Sequence, residues 1–585
     1  MAQPVRQVAL RAPGFEGLNT ELSPINGDPE FALVADNVVV DQIGRLTNRE
    51  AFKNYLALTN QPNIEIIKIK SHVLEPDPIH SYHREVPVWV YRYGDTIDVT
   101  LISRIPKGMG IVSKGIRQSE LDENALYGAA MEVDGAVVEL TTPTNDLTTA
   151  ELVSFKDETY LFSKNMPFAK LIGTDFTTVP AVITAGDGST TQVDGDIAVS
   201  AYGRLWVSGV GGDYHTIHYS SLLDETQWYD ATDTDSDTGN TGGLIDVNEY
   251  WPEGSDSIVN IHAHNGYLLV FGRNSILIYA NADAADPAGE NGIRLEDTIS
   301  NVGLVRRDAI CNIGTDVLFV DDSGVRSIGR VVREKSNPVG EVSLNIRREI
   351  QQVIEQELRM LATKSAIKME YIPSKSIAVL LCSALQIAYV FHLNMPSKTG
   401  GLKVTRWTDC FWNDSCEIKS GDGDLVYLGG SVGKGLLRYE GYIEGETATS
   451  DPEPYIMRYE SMALAVGQSP MQTAIPKSMH FVCMGEFVPG MANALWGFSD
   501  RMVGSREFRI QVTGGSEYNV NEFTDDGSEE LAGYYPDGGP YYRGYKINTT
   551  GSGELLRVGI EVKIQGGRYA LQEIDINSAI GRLTA

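Results

Sequence analysis

Short apolar segments alternate with turns along most of this chain. Four segments share one pattern, in which Gly or Asp at a turn precedes a run of β-branched and aromatic residues, as in Tyr202-Gly203-Arg204-Leu205-Trp206-Val207. The four turns lie at Gly203, Gly266, Gly314 and Asp424, and second apolar runs follow them from Thr216, Ser275, Gly324 and Gly435. Repetition of a turn-and-strand unit predicts modules that are arranged radially or stacked.

The spacing of these turns favours a β-propeller. The first two turns are 63 residues apart and the next interval is 48 residues. A four-stranded propeller blade takes roughly 40 to 50 residues, so about six to eight blades fit into residues 61–445 if the longer intervals carry loop insertions. Further hairpins are predicted over 153–163 and 376–391, and around Gly94-Asp95 between the runs 86–93 and 99–103.

One segment departs from the strand pattern and predicts an amphipathic helix over 343–362. The apolar residues of this segment recur at helical spacing, with charged residues between them: Ile346, Ile350, Val353, Ile354, Leu358 and Leu361. Two interpretations remain open at this stage. The helix packs on the side of the propeller, or it docks a neighbouring subunit.

Longer strands follow the Pro-rich linker 451–454 and predict a separate C-terminal β-sandwich. In one of these strands Val558, Ile560, Val562 and Ile564 alternate with polar residues or Gly, which is typical of a strand with one buried face. The predicted fold class is therefore mainly β. An N-terminal arm with the first strands covers residues 1–60, the propeller with its helix covers 61–445, and the sandwich covers 455–585.

Length and composition limit the classes of protein to which this chain can belong. With 585 residues the chain can bury a large core without a disulfide or metal staple. Its five cysteines are odd in number and scattered, which predicts reduced, buried thiols. No apolar run approaches a membrane span, and the N-terminus lacks a secretory signal. The net charge of −30 argues against a protein that grips nucleic-acid phosphates with Lys and Arg.

The sequence offers no convincing catalytic constellation. A nucleophile elbow, a His-Glu-x-x-His motif and a phosphate-binding loop are all missing from it. We therefore predict no enzyme activity, and no catalytic, cofactor-binding or metal-binding residues. His262 and His264 alternate on one predicted strand, but a third ligand is not evident, so structural histidines are favoured over a metal site.

Two further motifs fail on inspection. Asp233, Asp235 and Asp237 are spaced like calcium ligands, but Thr238 stands where the EF-hand pattern requires Gly, so a solvated loop is favoured. Residues 221–228 resemble the Ser-x-Asp-x-Gly-x-Thr-Trp box of sialidase-like propellers. Leu223 stands there in place of Asp, Glu225 in place of Gly and Gln227 in place of Thr.

Several phrases resemble the tail proteins of short-tailed bacteriophages. The N-terminal segment 12–24 (Ala-Pro-Gly-Phe-Glu-Gly-Leu-Asn-Thr-Glu-Leu-Ser-Pro) looks like the opening of those proteins, as do 35–41 and 44–46. Similar phrases recur at 203–206, at 217–220 with Trp228, and at 320–325. The resemblance extends from residue 12 to about 440 and rests on loosely spaced phrases.

The family that this resemblance implies is the tail tubular or nozzle protein. In that family a β-propeller decorates a ring-forming body, and six copies build the distal tail tube through which DNA leaves the capsid. The resemblance thus implies a structural virion protein of the tail, assembled in the host cytoplasm. Its expected partners are five further copies in a homo-hexamer, other tail proteins such as adaptor and fibres, and passing genomic DNA that is not bound specifically.

Two hypotheses follow from that implied function. Much of the negative charge is expected to line the lumen, where it would repel DNA. The Gly/Pro-rich arm 12–30 is a candidate for reaching a neighbouring subunit or an upstream tail ring. A receptor-binding or polysaccharide-degrading tail protein is the alternative function, with a cleft near Trp228 and Trp251. Those tryptophans are more simply blade-packing residues. A cellular propeller scaffold is a third reading, disfavoured because regular Trp-Asp or kelch repeats are missing.

Overall fold

The fold is that of a computed structural model. It describes residues 5–23, 28–41, 45–56, 64–73, 85–93, 126–133, 136–144, 147, 149–233, 240–252, 254–289, 291–329, 341–360, 367–410, 412–419, 425–431, 435–442, 454–466, 472–485, 490–498, 501–510, 541–564 and 567–583. Within these ranges, none of the helices has the length and apolarity that crossing a membrane requires. The aspartates Asp235 and Asp237 and the predicted strand 99–103 lie outside the described residues, as do residues 451–453 of the linker.

Five strands precede the propeller blades along the chain. They are β1 (Val5–Arg11), β2 (Ala32–Asp36), β3 (Val38–Val40), β4 (Leu46–Asn48) and β5 (Phe52–Leu56).

The blades are sheets whose strands are hydrogen-bonded in chain order. Blade 1 contains β6 (Ile64–Val73), β7 (Glu85–Tyr93), β8 (Leu126–Val133) and β9 (Ala136–Leu140); blade 2 contains β10 (Glu151–Phe155), β11 (Glu158–Ser163), β12 (Met166–Ile172) and β13 (Asp175–Thr178). A small hairpin of β14 (Val182–Thr184) and β15 (Thr190–Gln192) comes next. Blade 3 contains β16 (Ile197–Ala201), β17 (Arg204–Ser208), β18 (Thr216–Tyr219) and β19 (Gly243–Asp246); blade 4 contains β20 (Asn260–His264), β21 (Tyr267–Phe271), β22 (Ser275–Ala280) and β23 (Arg294–Ser300).

The remaining blades include one shortened sheet and one sheet closed by an N-terminal strand. Blade 5 contains β24 (Ile310–Asn312), β25 (Val317–Asp321) and β26 (Gly324–Ser327); blade 6 contains β27 (Ile367–Ile372), β28 (Ile377–Cys382), β29 (Ile387–Pro396) and β30 (Leu402–Thr408). Blade 7 contains β31 (Trp412–Lys419), β32 (Leu425–Ser431), β33 (Gly435–Tyr439) and the earlier strand β5. Helix α1 (Arg347–Met360) lies between blades 5 and 6, and 3₁₀ turns cover Val210–Gly212, Asn248–Tyr250, Leu344–Ile346 and Pro373–Lys375.

Shared hydrophobic clusters join these sheets into a closed ring. Separate clusters bridge blades 1 and 2, blades 2 and 3, blades 3 and 4, blades 6 and 7, and blades 7 and 1. A larger cluster runs through blades 4, 5 and 6, where the rings of Phe271 and Phe319 lie 5.4 Å apart. The described residues thus form a seven-bladed β-propeller, within the predicted range of six to eight blades.

The repeated phrases occupy equivalent positions in four blades. The apolar run after each turn forms the second strand of its blade (β17, β21, β25 and β32), and the next run forms the third strand. The fourth turn residue, Asp424, lies outside the described residues. Tyr202 and Gly203 both have positive φ, as do Asn265 and Gly266. Two consecutive positive φ values are the requirement of the tight type I′ hairpin turn, which matches the twist of the flanking strands.

The C-terminal strands form a two-sheet body with strands from the N-terminus. These strands are β34 (Tyr455–Ser461), β35 (Gln472–Gly485), β36 (Gly490–Phe498), β37 (Arg501–Ile510), β38 (Tyr541–Asn548), β39 (Leu556–Ile564) and β40 (Tyr569–Leu583). One sheet has the order β3-β4-β40-β35-β38, with β1 also paired to β40. The other continues blade 6 through β30-β2-β34-β39-β36-β37, giving a nine-stranded sheet.

The two sheets of the body pack on each other across one apolar cluster. Val558, Ile560 and Val562 of β39 share this cluster with Phe481 of β35 and Ile574 of β40. The sequence predicted a separate sandwich made of residues 455–585, whereas the strand pairing builds it together with β1 to β4. The reason is that β40 pairs with β35 along one edge and β34 pairs with β39 along one edge, and only the N-terminal strands pair with their other edges.

Helix α1 packs on the propeller within its own chain. Its apolar residues Ile350, Val353 and Ile354 are buried in the cluster shared by blades 4 to 6. Glu357 accepts hydrogen bonds from the backbone amides of Ala384 (2.6 Å) and Leu385 (3.0 Å) in the turn between β28 and β29. The helix has 14 residues, about four turns, and the structure favours the first of the two predicted roles.

Candidate functional site: the propeller channel and its junction with the body

The first strands of the seven blades surround a channel at the centre of the propeller. A cavity of about 470 Å³ lies in this channel, and residues from β6, β10, β16, β20 and β31 line it together with residues in or beside β24 and β27. The lining is rich in charged side chains of both signs.

Lys68 of β6 is the centre of one buried ion-pair cluster. Its Nζ lies 2.7 Å from Asp308 Oδ1 and 2.9 Å from Glu151 Oε2, and Arg307 Nη2 lies 3.4 Å from the same Glu151 oxygen. Burial acts to lower the pKa of Lys68, but Asp308 and Glu151 raise it above its usual value. Burial likewise acts to raise the pKa of Asp308, but Lys68 holds it well below its usual range. Both groups therefore stay ionised.

A second cluster joins blades 6, 7 and 1 beside the first. Lys368 Nζ lies 2.7 Å from Asp414 Oδ1, and Asp414 Oδ2 accepts a hydrogen bond from the backbone amide of Ile69 at 2.9 Å. Burial raises the pKa of Glu370 well above its usual value, and the nearby Asp414 raises it further. Burial thus favours the protonated form of Glu370.

These clusters connect blades 1, 2, 5, 6 and 7 through side chains of their first strands. Because Lys68, Lys368 and Arg307 each contact a carboxylate, the cations of the two clusters are already neutralised. The cavity volume falls in the range of small-molecule pockets. The paired charges of the channel therefore form a polar core that connects these blades.

A buried Arg406 connects the propeller to the body. Its guanidinium donates to both carboxylate oxygens of Asp36 in β2, at 2.7 and 2.9 Å, and to Glu349 of α1 at 2.9 Å. The hydroxyl of Tyr389 in β29 donates to the same Glu349 oxygen at 2.9 Å. A bidentate pair of this kind fixes the orientation of both elements. It lies where β2 runs parallel to β30 and extends blade 6 into the body.

Arg49 forms a second connection, next to the strand that closes the ring. Its guanidinium stacks on the ring of Phe52 at 4.2 Å and on the ring of Tyr455 at 4.4 Å. Phe52 belongs to β5 in blade 7, and Tyr455 begins β34 in the body. Arg49 is fully buried and donates from Nε to Asn37 at 2.9 Å. Arg49 therefore contacts both β5, which closes the propeller, and β34, which begins the C-terminal part of the body.

The described part of the N-terminal arm packs inside its own chain. The amide of Leu18 donates to the carbonyl of Val404 at 2.8 Å, and Glu16 pairs with Lys403 at 3.3 Å. A Cβ on Gly17 would lie 2.6 Å from the Val404 carbonyl oxygen, so glycine is required for this approach. The described residues 12–23 therefore place many of their hydrogen bonds and apolar side chains against their own chain. The expectation that the arm 12–30 reaches a neighbour stays a prediction.

The side chains of His262 and of the five cysteines are buried or partly buried. Burial lowers the pKa of His262 to about 4, and the neighbouring His264 lowers it too, so His262 is neutral at pH 7. Among the described residues, no group of three or more His, Cys, Asp or Glu is placed to hold a metal ion. Four cysteines are buried thiols, and Cys416 is partly buried.

Both tryptophans of the predicted glycan cleft are packing residues. Trp228 is 2% exposed and packs between blades 2 and 3, and Trp251 is 4% exposed and packs between blades 3 and 4. The indole N–H of Trp228 donates to the carbonyl of Glu225 at 2.8 Å. The described structure therefore offers no exposed aromatic surface at these two positions, as the simpler interpretation predicted.

The negative charge is concentrated in one part of the propeller. Residues 171–300 contain 20 Asp and Glu but only three Arg and no Lys, so this segment carries −17 of the net −30. It comprises the β14–β15 hairpin and blades 3 and 4. Arg204 is fully buried, Arg273 pairs with Asp322 and Arg294 with Glu296. Blade 3 lies across the ring from blade 6, where the body is attached.

The residues of the channel and of the junction belong to no recognisable sequence motif. Lys68, Lys368 and Asp414 lie in first strands of their blades, Asp308 precedes β24, and only the closure of the ring brings the four together. The local sequence gives no signal for Lys68, because in Ile-Glu-Ile-Ile-Lys-Ile-Lys three charged residues alternate with isoleucines, as they do in a strand with one exposed face.

Comparisons with known proteins do not assign the chain to a family. No family model and no curated protein matches it. Similar solved structures include a Lactobacillus plantarum protein (10% identity, 55% of this chain and 92% of that one, TM-score 0.31) and the WD40 domain of Toxoplasma gondii coronin (9%, 70% and 86%, 0.33). Kluyveromyces lactis Hsv2 is another (11%, 59% and 99%, TM-score 0.26). At these values the propeller assignment rests on the strand pairing and the closed ring described above.

Proposed function

We propose that this protein is a structural component of the tail of a short-tailed bacteriophage, and that several copies form a ring through which DNA is ejected. The observation that carries the proposal is the resemblance of residues 12 to about 440 to tail tubular or nozzle proteins. In that family a propeller decorates a ring-forming body. A propeller joined to a two-sheet body by a continuous sheet supports the proposal.

The rigidity of the junction supports the same role. Arg406 and Arg49 connect the propeller and the body through buried contacts with Asp36, Glu349 and Tyr455. A building element has to hold a fixed orientation in an assembly, and buried, fully bonded charges specify one arrangement. In this proposal the body supplies the contacts between copies, as a homo-hexamer, and the propeller decorates the outside.

The DNA path then runs between copies and not through a propeller. The channel of each propeller is lined by the paired charges of Lys68, Glu151, Asp308 and Lys368. The body is attached at blade 6, and blade 3 lies across the propeller from it. In this proposal the acidic blade 3 therefore lies on the side of the propeller away from the body. A surface-potential map of the assembled ring tests whether most of the negative charge lines the lumen.

Negative-stain microscopy of the purified protein tests the proposal. Rings or short tubes with six-fold symmetry are expected. Single particles at all concentrations, together with release of reducing sugars from host capsule, would favour the polysaccharide-degrading alternative. Adding purified adaptor or fibre proteins of the same virion would reveal whether ring formation requires a tail partner.

A further inference from the structure

One exposed apolar patch stands out on the acidic side of the propeller. Leu222 is 46% exposed, Leu223 is 58% exposed and Tyr267 is 39% exposed. These residues lie at turns of blades 3 and 4, next to the half-buried Tyr202. We call Leu222, Leu223, Tyr202 and Tyr267 the leucine patch.

The members of the leucine patch are held together by short contacts. The amide of Leu223 donates to the carbonyl of Gly203 at 2.8 Å, and Leu222 packs directly over the same glycine. The neighbouring hydroxyl of Tyr202 accepts from the amide of Gly266 at 2.8 Å and donates to the carbonyl of Tyr267 at 3.2 Å. The two type I′ turns of blades 3 and 4 thus form one continuous surface.

The backbone presents Leu223 at a conformational cost. Its φ is +55°, in the left-handed region that non-glycine residues avoid. The turn is rigid, because Asp224 accepts hydrogen bonds from the amide (2.8 Å) and the hydroxyl (2.7 Å) of Thr226. Buried Trp228 anchors its far end. A strained, exposed apolar residue on a rigid turn is typical of a contact surface.

This turn is the motif that failed as a sialidase box. In residues 221–228 the Trp of the box is buried, and Asp224, one position after the Asp of the box, accepts the hydrogen bonds of the turn. The tip of the turn carries Leu222 and Leu223. Nothing within the chain covers these two side chains in the described residues. The tip of this turn therefore presents two exposed leucines in place of the polar residues of the sialidase box.

Charge determines the kind of partner that this surface fits. Asp224 follows the leucines, and the exposed Asp283 lies beside Gly266, 3.5 Å from where a Cβ on that glycine would be. The nearest lysines are neutralised, since Lys156 and Lys170 both pair with Glu225. The segment 171–300 carries 20 acidic residues against three Arg. An apolar centre with an acidic rim is complementary to an apolar anchor flanked by basic residues.

We propose that the leucine patch docks a basic polypeptide segment of another protein, one that carries an apolar or aromatic side chain between Lys or Arg residues. Leu222 and Leu223 contact the anchor, and Asp224 and Asp283 face the cations. Acidic surroundings disfavour anionic membranes and nucleic acid as occupants. The proposal does not depend on ring formation.

Fluorescence anisotropy with defined peptides tests the proposal on the full chain. The probe is a labelled Gly/Ser peptide with several Lys residues around two Phe residues, and the comparison peptides replace Lys by Glu, or Phe by Ser. Only the first peptide should bind, more weakly at higher salt, and hydrogen exchange should be slowed at 202–203, 222–224 and 266–267.

Leu223→Gly is the informative variant, because glycine accepts the positive φ and removes only the exposed side chain. It should keep or raise Tm and weaken binding about tenfold or more. Asp283→Asn should lower both the affinity and its salt dependence. Leu425→Ser removes a 59% exposed leucine of blade 7 and is the matched control, with unchanged binding.

Equal binding of all three peptides, or full binding by Leu223→Gly, would overturn the proposal. Loss of self-association in Leu223→Gly would also overturn it, since the occupant would then be a second copy of this chain. Because ring formation is read by mass and peptide binding by anisotropy, failure of this inference is distinguishable from failure of the proposed function.

Discussion

Single buried charges decide how the parts of this molecule are joined. Arg406 contacts Asp36 and Glu349, and all three side chains are buried. Such a group contributes specificity of arrangement more than net stability, since desolvation offsets much of the attraction between the charges. Removing one partner is a different matter, because it leaves the remaining charges buried without compensation.

Arg406→Met should therefore destabilise the protein by about 3–5 kcal/mol, as expected for one broken partner of a buried pair. Arg348→Met is the matched control, because Arg348 is 79% exposed on its side chain and pairs with Glu21 at 3.5 Å. That change should cost at most about 1 kcal/mol. Denaturant midpoints measure both, and equal effects would show that Arg406 is not a junction residue.

His392 makes stability depend on pH. Burial, aided by Lys403, lowers its pKa to about 3, against 6.5 for a free histidine. Its Nε2 faces the amide of Val40 at 3.5 Å and the hydroxyl of Thr405 at 3.3 Å. Between these two pKa values the unfolded chain binds a proton that the folded chain does not, so this contribution to stability is present above pH 6.5 and is lost as pH falls.

For His392→Gln we expect a shallower loss of unfolding free energy between pH 6.5 and 3, by up to about 1.4 kcal/mol per pH unit. Urea titrations at a series of pH values measure the slope. Above pH 7 the slopes of the two proteins should coincide. An unchanged slope in the acid range would mean that His392 is protonated in the folded state.

At the scale of elements, the strand β5 closes the propeller. It completes blade 7 by pairing with β33, although 378 residues separate Leu56 from Gly435 in the sequence. Phe52 packs there against the rings of Trp412 at 4.7 Å and Tyr439 at 5.7 Å. Closing a ring with the earliest strand ties the first and last blades together.

Phe52→Ala should open this closure, at a cost of about 3–5 kcal/mol as for other buried Phe deletions. Hydrogen exchange would show which strands are destabilised by the change. Amides of β31 to β33 and β5 should exchange faster, whereas those of β16 to β18 in blade 3 serve as the internal control. A uniform increase over all blades would contradict a local role for β5.

Local sequence patterns predicted where strands occur better than they predicted which strands pair with each other. The phrases at Gly203 and Gly266 gave correct second strands, because positive φ at the turn and apolar alternation are local properties. The pairing of β2 with β34, or of β5 with β33, depends on contacts hundreds of residues apart. The ion pairs of Lys68 were unpredictable for the same reason, since Asp308 lies 240 residues away.

The N-terminal segment shows the same limit. Its Gly and Pro content suggested an exposed arm, yet Gly14 and Gly17 are present because the chain passes close to Tyr459 and Val404. Composition alone does not distinguish a flexible segment from one that requires tight backbone approach. Deleting residues 12–30 would therefore disturb the junction with blade 6, and would not isolate a contact between subunits.

For the whole molecule, the central claim is that a propeller fixed to a two-sheet body is a building element of a ring. Native mass spectrometry or light scattering across a range of concentrations tests this claim most directly. We predict a closed assembly of six 64.0 kDa chains, about 384 kDa, that does not grow further because a heterologous ring closes on itself. The account would be contradicted if the protein kept the mass of a single 64.0 kDa chain at every concentration, both alone and after addition of other tail proteins of the same virion.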